Sequence, residues 1–306
     1  MNEKGEPMSQ PDYAQLLGAE IHDYLAYNAS FTPTDPTLEN TRAAYLAFCQ
    51  AIQPALPDIV FADAKIAGVK TRRYAGKAPD ALVVYFHGGG FAIGNLESHH
   101  AICMEMCEKT GLDVLAVDYR LAPEHPYPAQ LEDALAVLDA LDEKIILAGD
   151  SAGATLAASV TLKRRDKVHG HMLIYPWLDT PGEHESGRTH AEAPILTSEA
   201  IIEFETLRLS GQDRPKTPDY FPLMGDDFND LPPSYISTAD CDPLCDEGAL
   251  YNTLHIFSGG ESVLMEETGL MHGHLHARHH SARAMDAFEH ICEGLNNLSA
   301  WEKPPF

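Results

Sequence analysis

The chain has no hydrophobic run approaching the ~18 residues that a membrane helix needs, so no membrane insertion is expected. Its opening stretch, MNEKGEPMSQPDYAQLL, is polar and acidic. It lacks the basic start and apolar core of a secretory signal, which points to a cytoplasmic location. The Asn-x-Ser matches at Asn28 and Asn297 then carry little weight as glycosylation sites. Cysteine is sparse, with six in 306 residues. Cys103 and Cys107 are four apart, as are Cys241 and Cys245. Without C-x-x-C spacing they read as free thiols, not as disulfide, redox or zinc ligands. Basic residues are also scarce. The chain has 21 Lys and Arg against 46 Asp and Glu, a formal charge of −25. Such a chain is not drawn to nucleic acid or to an anionic membrane surface, and it disfavours strongly anionic substrates. The excess charge reads as a highly solvated surface and motivates a hypothesis of salt tolerance. There is no internal repeat, low-complexity tract or linker. The length therefore suits one large domain, or a core with an accessory piece.

What is present divides by pattern. Residues 1–55 are acidic and helix-like, with Leu16, Leu17, Ile21, Tyr24 and Leu25 at helical spacing. Pro33 and Pro36 interrupt them before a second helical pattern from Glu39 to Gln53. From about residue 59, short apolar runs alternate with helical stretches. Strands are expected at Ala81–Phe86, Leu112–Val117, Lys144–Gly149, His171–Trp177, Ser234–Asp240 and Ser262–Glu267. Helices are expected at Leu131–Leu141, Ala152–Arg165, Leu244–Ile256 and His276–Gly294. Continuous apolar strands in this alternation imply an α/β fold, a mostly parallel sheet with helices on both faces. Residues 181–215 break the rhythm. They open with Pro181, Gly182 and Gly187 and then read helical from Thr197 to Leu209, an excursion long enough to be a lid.

The chemistry concentrates in two glycine-rich turns. Gly149-Asp150-Ser151-Ala152-Gly153 follows an apolar strand and precedes a helix, the context of a nucleophile elbow. A turn that sharp strains the serine backbone and requires small residues two before and two after it. The serine then lies at a helix N-terminus, which favours developing negative charge. Upstream, His87-Gly88-Gly89-Gly90-Phe91 follows another strand. Glycines there let backbone N–H groups approach the oxyanion of a tetrahedral intermediate. The expected donors are Gly89, Gly90 and Ala152. Gly88, His87 and Asp150 support the two motifs. Neither phosphate-loop spacing, G-x-x-x-x-G-K-[ST] nor G-x-G-x-x-G, is present.

An elbow serine needs a histidine base oriented by a carboxylate, in the chain order Ser, acid, His. The acids cluster in Asp240-Cys241-Asp242-Pro243-Leu244-Cys245-Asp246-Glu247, at the carboxyl end of an expected strand, where sites gather in α/β sheets. Asp242, fixed by the following proline, is the choice; Asp240 and Asp246 read as solvated or capping. Among His272, His274, His276, His279 and His280, His272 stands in the loop where the base belongs. The i, i+4 pairs His272/His276 and His276/His280 lack the glutamate of H-E-x-x-H, so neither a metal nor another cofactor is expected.

With these residues in view, the chain resembles the hormone-sensitive-lipase-like esterases (bacterial family IV) of the α/β-hydrolase fold. The matching motifs are His87–Phe91, Asp118–Ala129 (DYRLAPEHPYPA), Gly149–Gly153, Asp242–Gly248 (DPLCDEG) and His272-Gly273, in order across roughly residues 60–295. The resemblance implies Ser151 as nucleophile, His272 as base and Asp242 as acid, with Gly89, Gly90 and Ala152 as the oxyanion hole. It implies a helical cap, residues 1–58 and 181–215, over a catalytic core of residues 59–180 and 216–306. Asp118–Ala129 would brace the site through Arg120 and Glu124. A homodimer is a further expectation. The chain departs from the family at His274, where an aromatic is usual, and at Cys245, where Arg is frequent. His274 would bring a polar or titrating group near the base. The expected activity is hydrolysis of neutral, short-chain acyl or aryl esters through an acyl-enzyme. An amidase or formamide hydrolase with the same triad is the rival enzyme, and a small-molecule receptor on the same fold is the non-enzyme rival.

Overall fold

A computed structural model describes residues 11–302. The first ten residues of the expected cap segment, with the polar N-terminus, and the last four of the expected core lie outside the described residues. Eight strands form one sheet: β1 (Phe61–Ile66), β2 (Val69–Tyr74), β3 (Leu82–Phe86), β4 (Asp113–Asp118), β5 (Ile145–Asp150), β6 (Val168–Ile174), β7 (Ser234–Cys241) and β8 (Ser262–Met271). Their spatial order is β1-β2-β4-β3-β5-β6-β7-β8. β2 runs antiparallel to both its neighbours, and the remaining pairs are parallel.

The central strands are buried on both faces, and alternate residues enter different cores. On β3, Leu82, Val84 and Phe86 join one apolar cluster, while Val83 and Tyr85 join the other. The first cluster is covered by α5 (Ala129–Asp139), α6 (Ala152–Lys163) and α9 (Cys245–Phe257). The second is covered by α4 (His100–Thr110) and α10 (Ala282–Ala300). Each fully buried aliphatic side chain in these layers contributes roughly 1.5–3 kcal/mol of transfer free energy. A third cluster joins α1 (Tyr13–Leu16), α2 (Ala19–Ala29) and α3 (Leu38–Ala51) to the carboxyl ends of β7 and β8 through Leu17, Ile21, Tyr24, Phe48, Cys241 and Met271. The excursion before β7 contains α7 (Ser186–Thr189) and α8 (Ser198–Leu209). Thr37 caps α3 and Thr197 caps α8, each accepting from the N–H three residues on.

Three expectations are corrected. The last helix starts at Ala282, not His276; His274–Ala277 form a 3-10 turn instead. β6 begins at Val168 and ends at Ile174, three residues before Trp177. The apolar run through Trp177 continues as buried loop, which periodicity alone does not distinguish from strand. β8 extends four residues past Glu267, to Met271. Among the described residues no helix is long and apolar enough to cross a membrane.

Candidate active site

Ser151 stands between β5 and α6 with φ 55° and ψ −122°, outside the ordinary regions for an L-residue. The turn is this sharp because its neighbours carry no side chain. A Cβ on Gly149 would lie 2.5 Å from the Gly153 backbone, and one on Gly153 would lie 2.0 Å from Phe86 O. Ser151 Oγ is 2.9 Å from His272 Nε2. His272 Nδ1 donates to Asp242 Oδ2 at 2.6 Å. Asp242 is wholly buried, and its other oxygen accepts from Leu244 N–H at 2.9 Å. Three chain segments, after β5, β7 and β8, thus bring a hydroxyl, an imidazole and a carboxylate into one relay. Such a relay can take the hydroxyl proton and stabilise the imidazolium that forms.

Beside it, the loop after β3 carries Gly89 at φ 115° and Gly90 at φ 59°, conformations that side-chain-bearing residues rarely adopt. Among the described residues, the N–H groups of Gly89, Gly90 and Ala152 donate to no acceptor. Ala152 N–H is also the first donor of α6, where the helix dipole is positive. Asp150 ties this loop to the elbow: its Oδ1 accepts from Gly88 N–H at 2.9 Å and from Tyr85 OH at 2.7 Å. Burial alone would raise the Asp150 pKa, but nearby His99, 3.3 Å away, and the Tyr85 hydroxyl hold it below the usual carboxylate range. His87 stacks on Tyr119, with ring centroids 4.3 Å apart, and Tyr119 OH donates to His87 O. A Cβ on Gly88 would lie 2.2 Å from Asp150 Oδ2, so a side chain there would displace the carboxylate that ties the loop to the elbow.

A family model described as the alpha/beta hydrolase fold matches residues 83–276. The chain belongs to this family. Esterase LipI of Mycobacterium tuberculosis (strain ATCC 25618 / H37Rv) is 35% identical over 248 residues, 73% of this chain and 77% of that protein. An acetyl esterase of Salmonella schwarzengrund (strain CVM19633) is 32% identical over 295 residues, 89% of this chain and 90% of that one. Among solved structures, an esterase from the bacterial hormone-sensitive lipase family superposes with a TM-score of 0.85 at 26% identity, covering 92% of this chain and 99% of that one. The likeness to hormone-sensitive-lipase-like esterases therefore holds in sequence and in fold.

In this α/β hydrolase a cavity of about 230 Å³ opens onto Ser151. Tyr24, Tyr45 and Phe48 wall it from α2 and α3, Ile201 and Phe204 from α8, and Trp177 from the loop after β6. A larger cleft of about 610 Å³ shares Tyr45 but is lined by Gly94, Asn95, Asp118 and Arg120 and does not include Ser151.

The remaining histidines are spread among separate partners. His274 is fully buried on Tyr175, its ring nitrogens have no hydrogen-bond partner among the described residues, and burial lowers its pKa to about 3. It is neutral over the range in which esters are assayed, so it adds no titrating group beside the base. His276 Nε2 meets Tyr45 OH at 3.0 Å and is likewise brought down to about 3 by burial. His279 pairs with Glu105, and His280 packs on Tyr24 and Tyr27. Among the described residues no three His, Cys, Asp or Glu side chains converge as a metal-binding group.

Asp240 is half-buried and caps no helix: its carboxylate accepts from Gly269 and Leu270 N–H and holds β8 to β7. Asp246 accepts from Ser186 N–H and anchors α7. Arg120 does brace its loop, through Asp133, Glu132 and Ala129 O. Glu124 pairs with Arg42 of α3, which also donates to Ala92 O and Ala122 O. Arg42, Tyr85, His99 and Glu247 were not singled out as site residues in the sequence. Glu247 accepts from Leu178 and Asp179 N–H, and burial pushes its carboxyl well above the carboxylate range. Its position inside the DPLCDEG block was the signal available for it.

Proposed function

We propose that the protein is a serine carboxylesterase that hydrolyses short-chain acyl or aryl esters through an acyl-enzyme. Ser151 Oγ attacks the ester carbonyl as its proton passes to His272 Nε2. The N–H groups of Gly89, Gly90 and Ala152 receive the oxyanion. His272 then protonates the departing alcohol, and a water repeats the sequence on the acyl-serine. Asp242 holds the imidazole in the tautomer whose Nε2 faces Ser151. No metal or other cofactor enters this scheme. The observation that carries the reading is the unbroken relay from Ser151 Oγ through His272 to the buried Asp242. The two relatives and the solved structure named as esterases support the reaction class.

We assign the described part of residues 1–58, with residues 181–215, to a cap over the described part of the core, residues 59–180 and 216–306. The support is the cavity, whose outer wall comes from α2, α3 and α8. Its small volume and mostly neutral, aromatic lining suit short uncharged esters. The open edge of β8, with Phe257 86% exposed nearby, supports a homodimer. Sedimentation velocity showing only monomer at assay concentration would remove that part.

The test is hydrolysis of p-nitrophenyl esters of increasing acyl length, with and without chelator. Wild type should prefer short chains and ignore the chelator. Ser151→Ala should lose at least about 10³-fold in kcat. Activity surviving in Ser151→Ala, or a preference for long emulsified chains, would sink the respective part of the reading.

A further inference from the structure

Arg208 is 1% exposed on α8, yet among the described residues no carboxylate lies within ion-pair distance of it. Nη2 donates to Tyr220 O at 3.1 Å, while Nε and Nη1 have no hydrogen-bond partner among the described residues. The neighbouring Glu205 is occupied by Arg214 and Tyr220 OH. The guanidinium lies between two rings, its Cζ 3.9 Å from the Phe91 centroid and 4.0 Å from that of Tyr220. Tyr127 and Phe221 complete the cage at 5.3 Å each. Burial lowers the pKa to about 10, so the group is charged at neutral pH. A buried cation without a counter-ion is an expensive way to fill space, and an apolar side chain would serve packing better. What the cation adds is attraction to ring faces in a dry surrounding.

Those rings belong to segments that meet at the site. Phe91 follows Gly90 directly and is itself held at φ 62°. Its carbonyl accepts from Ala122 N–H at 2.9 Å, and Tyr127 N–H donates to Arg208 O at 3.0 Å. Four residues before Arg208, Phe204 lies so close over Gly90 that a Cβ there would sit 2.3 Å from its ring. One helix thus touches two consecutive residues of the oxyanion loop.

We propose that Arg208 is a positioning residue: by holding Phe91 against α8 it fixes the direction of the Gly89 and Gly90 N–H groups. The proposal rests on the reading of those groups as oxyanion donors. It predicts an effect on the transition state, where the oxyanion exists, and little effect on ester binding.

The experiment compares Arg208→Met, Arg208→Lys, Phe91→Leu and the Arg208→Met/Phe91→Leu double variant on p-nitrophenyl butyrate. Each is also titrated with a short aliphatic trifluoromethyl ketone, whose carbonyl adds Ser151 Oγ to give a tetrahedral alkoxide. Removing a whole oxyanion donor costs about 10²–10³-fold in kcat, so misaligning donors should cost about tenfold. Arg208→Met is expected to lower kcat and ketone affinity together by about tenfold, with KM within about twofold. Arg208→Lys should recover part of the loss, Phe91→Leu should reproduce it, and the double variant should be no worse than either. A lower melting temperature with unchanged kcat, a rise in KM alone, or losses that multiply in the double variant would each overturn the proposal. If Arg208→Met does not fold, Arg208→Lys and Phe91→Leu decide on the same readouts. Failure of the underlying reading looks different: wild type would ignore the ketone, or Ser151→Ala would stay active.

Discussion

Asp150 shows how much of the site depends on one side chain that touches no reacting atom. It occupies the variable position of the elbow motif, and its Oδ1 satisfies two buried donors from different segments, Tyr85 OH and Gly88 N–H. Asp150→Ala would strand both, and each buried donor left without an acceptor costs roughly 1–3 kcal/mol. We expect a loss of about 3 kcal/mol in urea denaturation, together with a lower kcat as the 88–90 loop slackens. Asp150→Asn, which keeps an acceptor oxygen, should lose distinctly less stability; equal losses would mean that the charge beside His99, not the acceptor, is what the fold requires. The elbow glycines give a sharper case. Gly153→Ala places a Cβ 2.0 Å from Phe86 O, a backbone atom of a central strand that has no room to move. It should destabilise by more than about 3 kcal/mol or prevent folding, and a soluble variant of near-native melting temperature would contradict the packing described.

At the scale of elements, the cavity owes its outer wall to helices anchored by a few polar contacts. Arg42 fastens α3 to the core: it grips Glu124 with two hydrogen bonds and reaches Ala92 O and Ala122 O with the rest of its guanidinium. Glu124 is half exposed, so the ion pair itself is screened, and the carbonyl bonds carry most of the effect. Arg42→Ala should cost about 1–2 kcal/mol and raise amide exchange across residues 38–51 more than across α6; uniform exchange would show that α3 is held by its apolar face alone. Phe204 walls the cavity from α8 and lies against Gly90, so Phe204→Ala should shift the acyl optimum of p-nitrophenyl esters toward longer chains. These helices were legible in the sequence, since residues 16–25, 39–53 and 197–209 carry helical spacing. The central strands, α6 and the motif residues were legible because apolar runs and glycine turns have few alternative explanations. Helix α4 was not, since burial from His100 to Cys107 leaves it no polar face to reveal a period. The β1–β2 hairpin was missed because β1 is exposed over Phe61–Lys65 and its short alternation, Ala62-Asp63-Ala64-Lys65-Ile66, rests on small alanines rather than a strongly apolar face. Ser151, Asp242 and His272 could be chosen from motif and order, but Arg42 and Arg208 act across 50 or more residues, or against ring faces, and leave no local pattern.

Over the whole molecule, charge and buried imidazole set the response to conditions. A net charge of −25 repels itself in the compact state, so salt should raise the melting temperature, and maximal stability near zero added salt would argue against that. Acid acts through a different set of groups. Burial brings His87, His274 and His276 down to about 3 and His255 to about 4, and pushes His171, stacked on His255, well below its ordinary value. In the unfolded chain each titrates near 6.5. Between about 6.5 and 3 the unfolded state therefore binds more protons than the folded one, and stability rises with pH across that window. It is fully present above about 6.5, erodes as pH falls, and levels off only below the folded values. Several such groups acting together are large against a total stability of about 5–15 kcal/mol, so unfolding should begin at about pH 5, before most carboxylates titrate. His274 isolates the effect, because its ring nitrogens have no hydrogen-bond partner among the described residues and its ring already packs edge-on to Tyr175. His274→Phe should stabilise the protein, and by more at pH 5 than at pH 8, because it removes a proton acceptor present only in the unfolded state. Urea denaturation at the two pH values measures this directly: a gain of equal size at both would mean that His274 already exchanges its proton in the folded protein, and that the acid sensitivity lies with the other histidines.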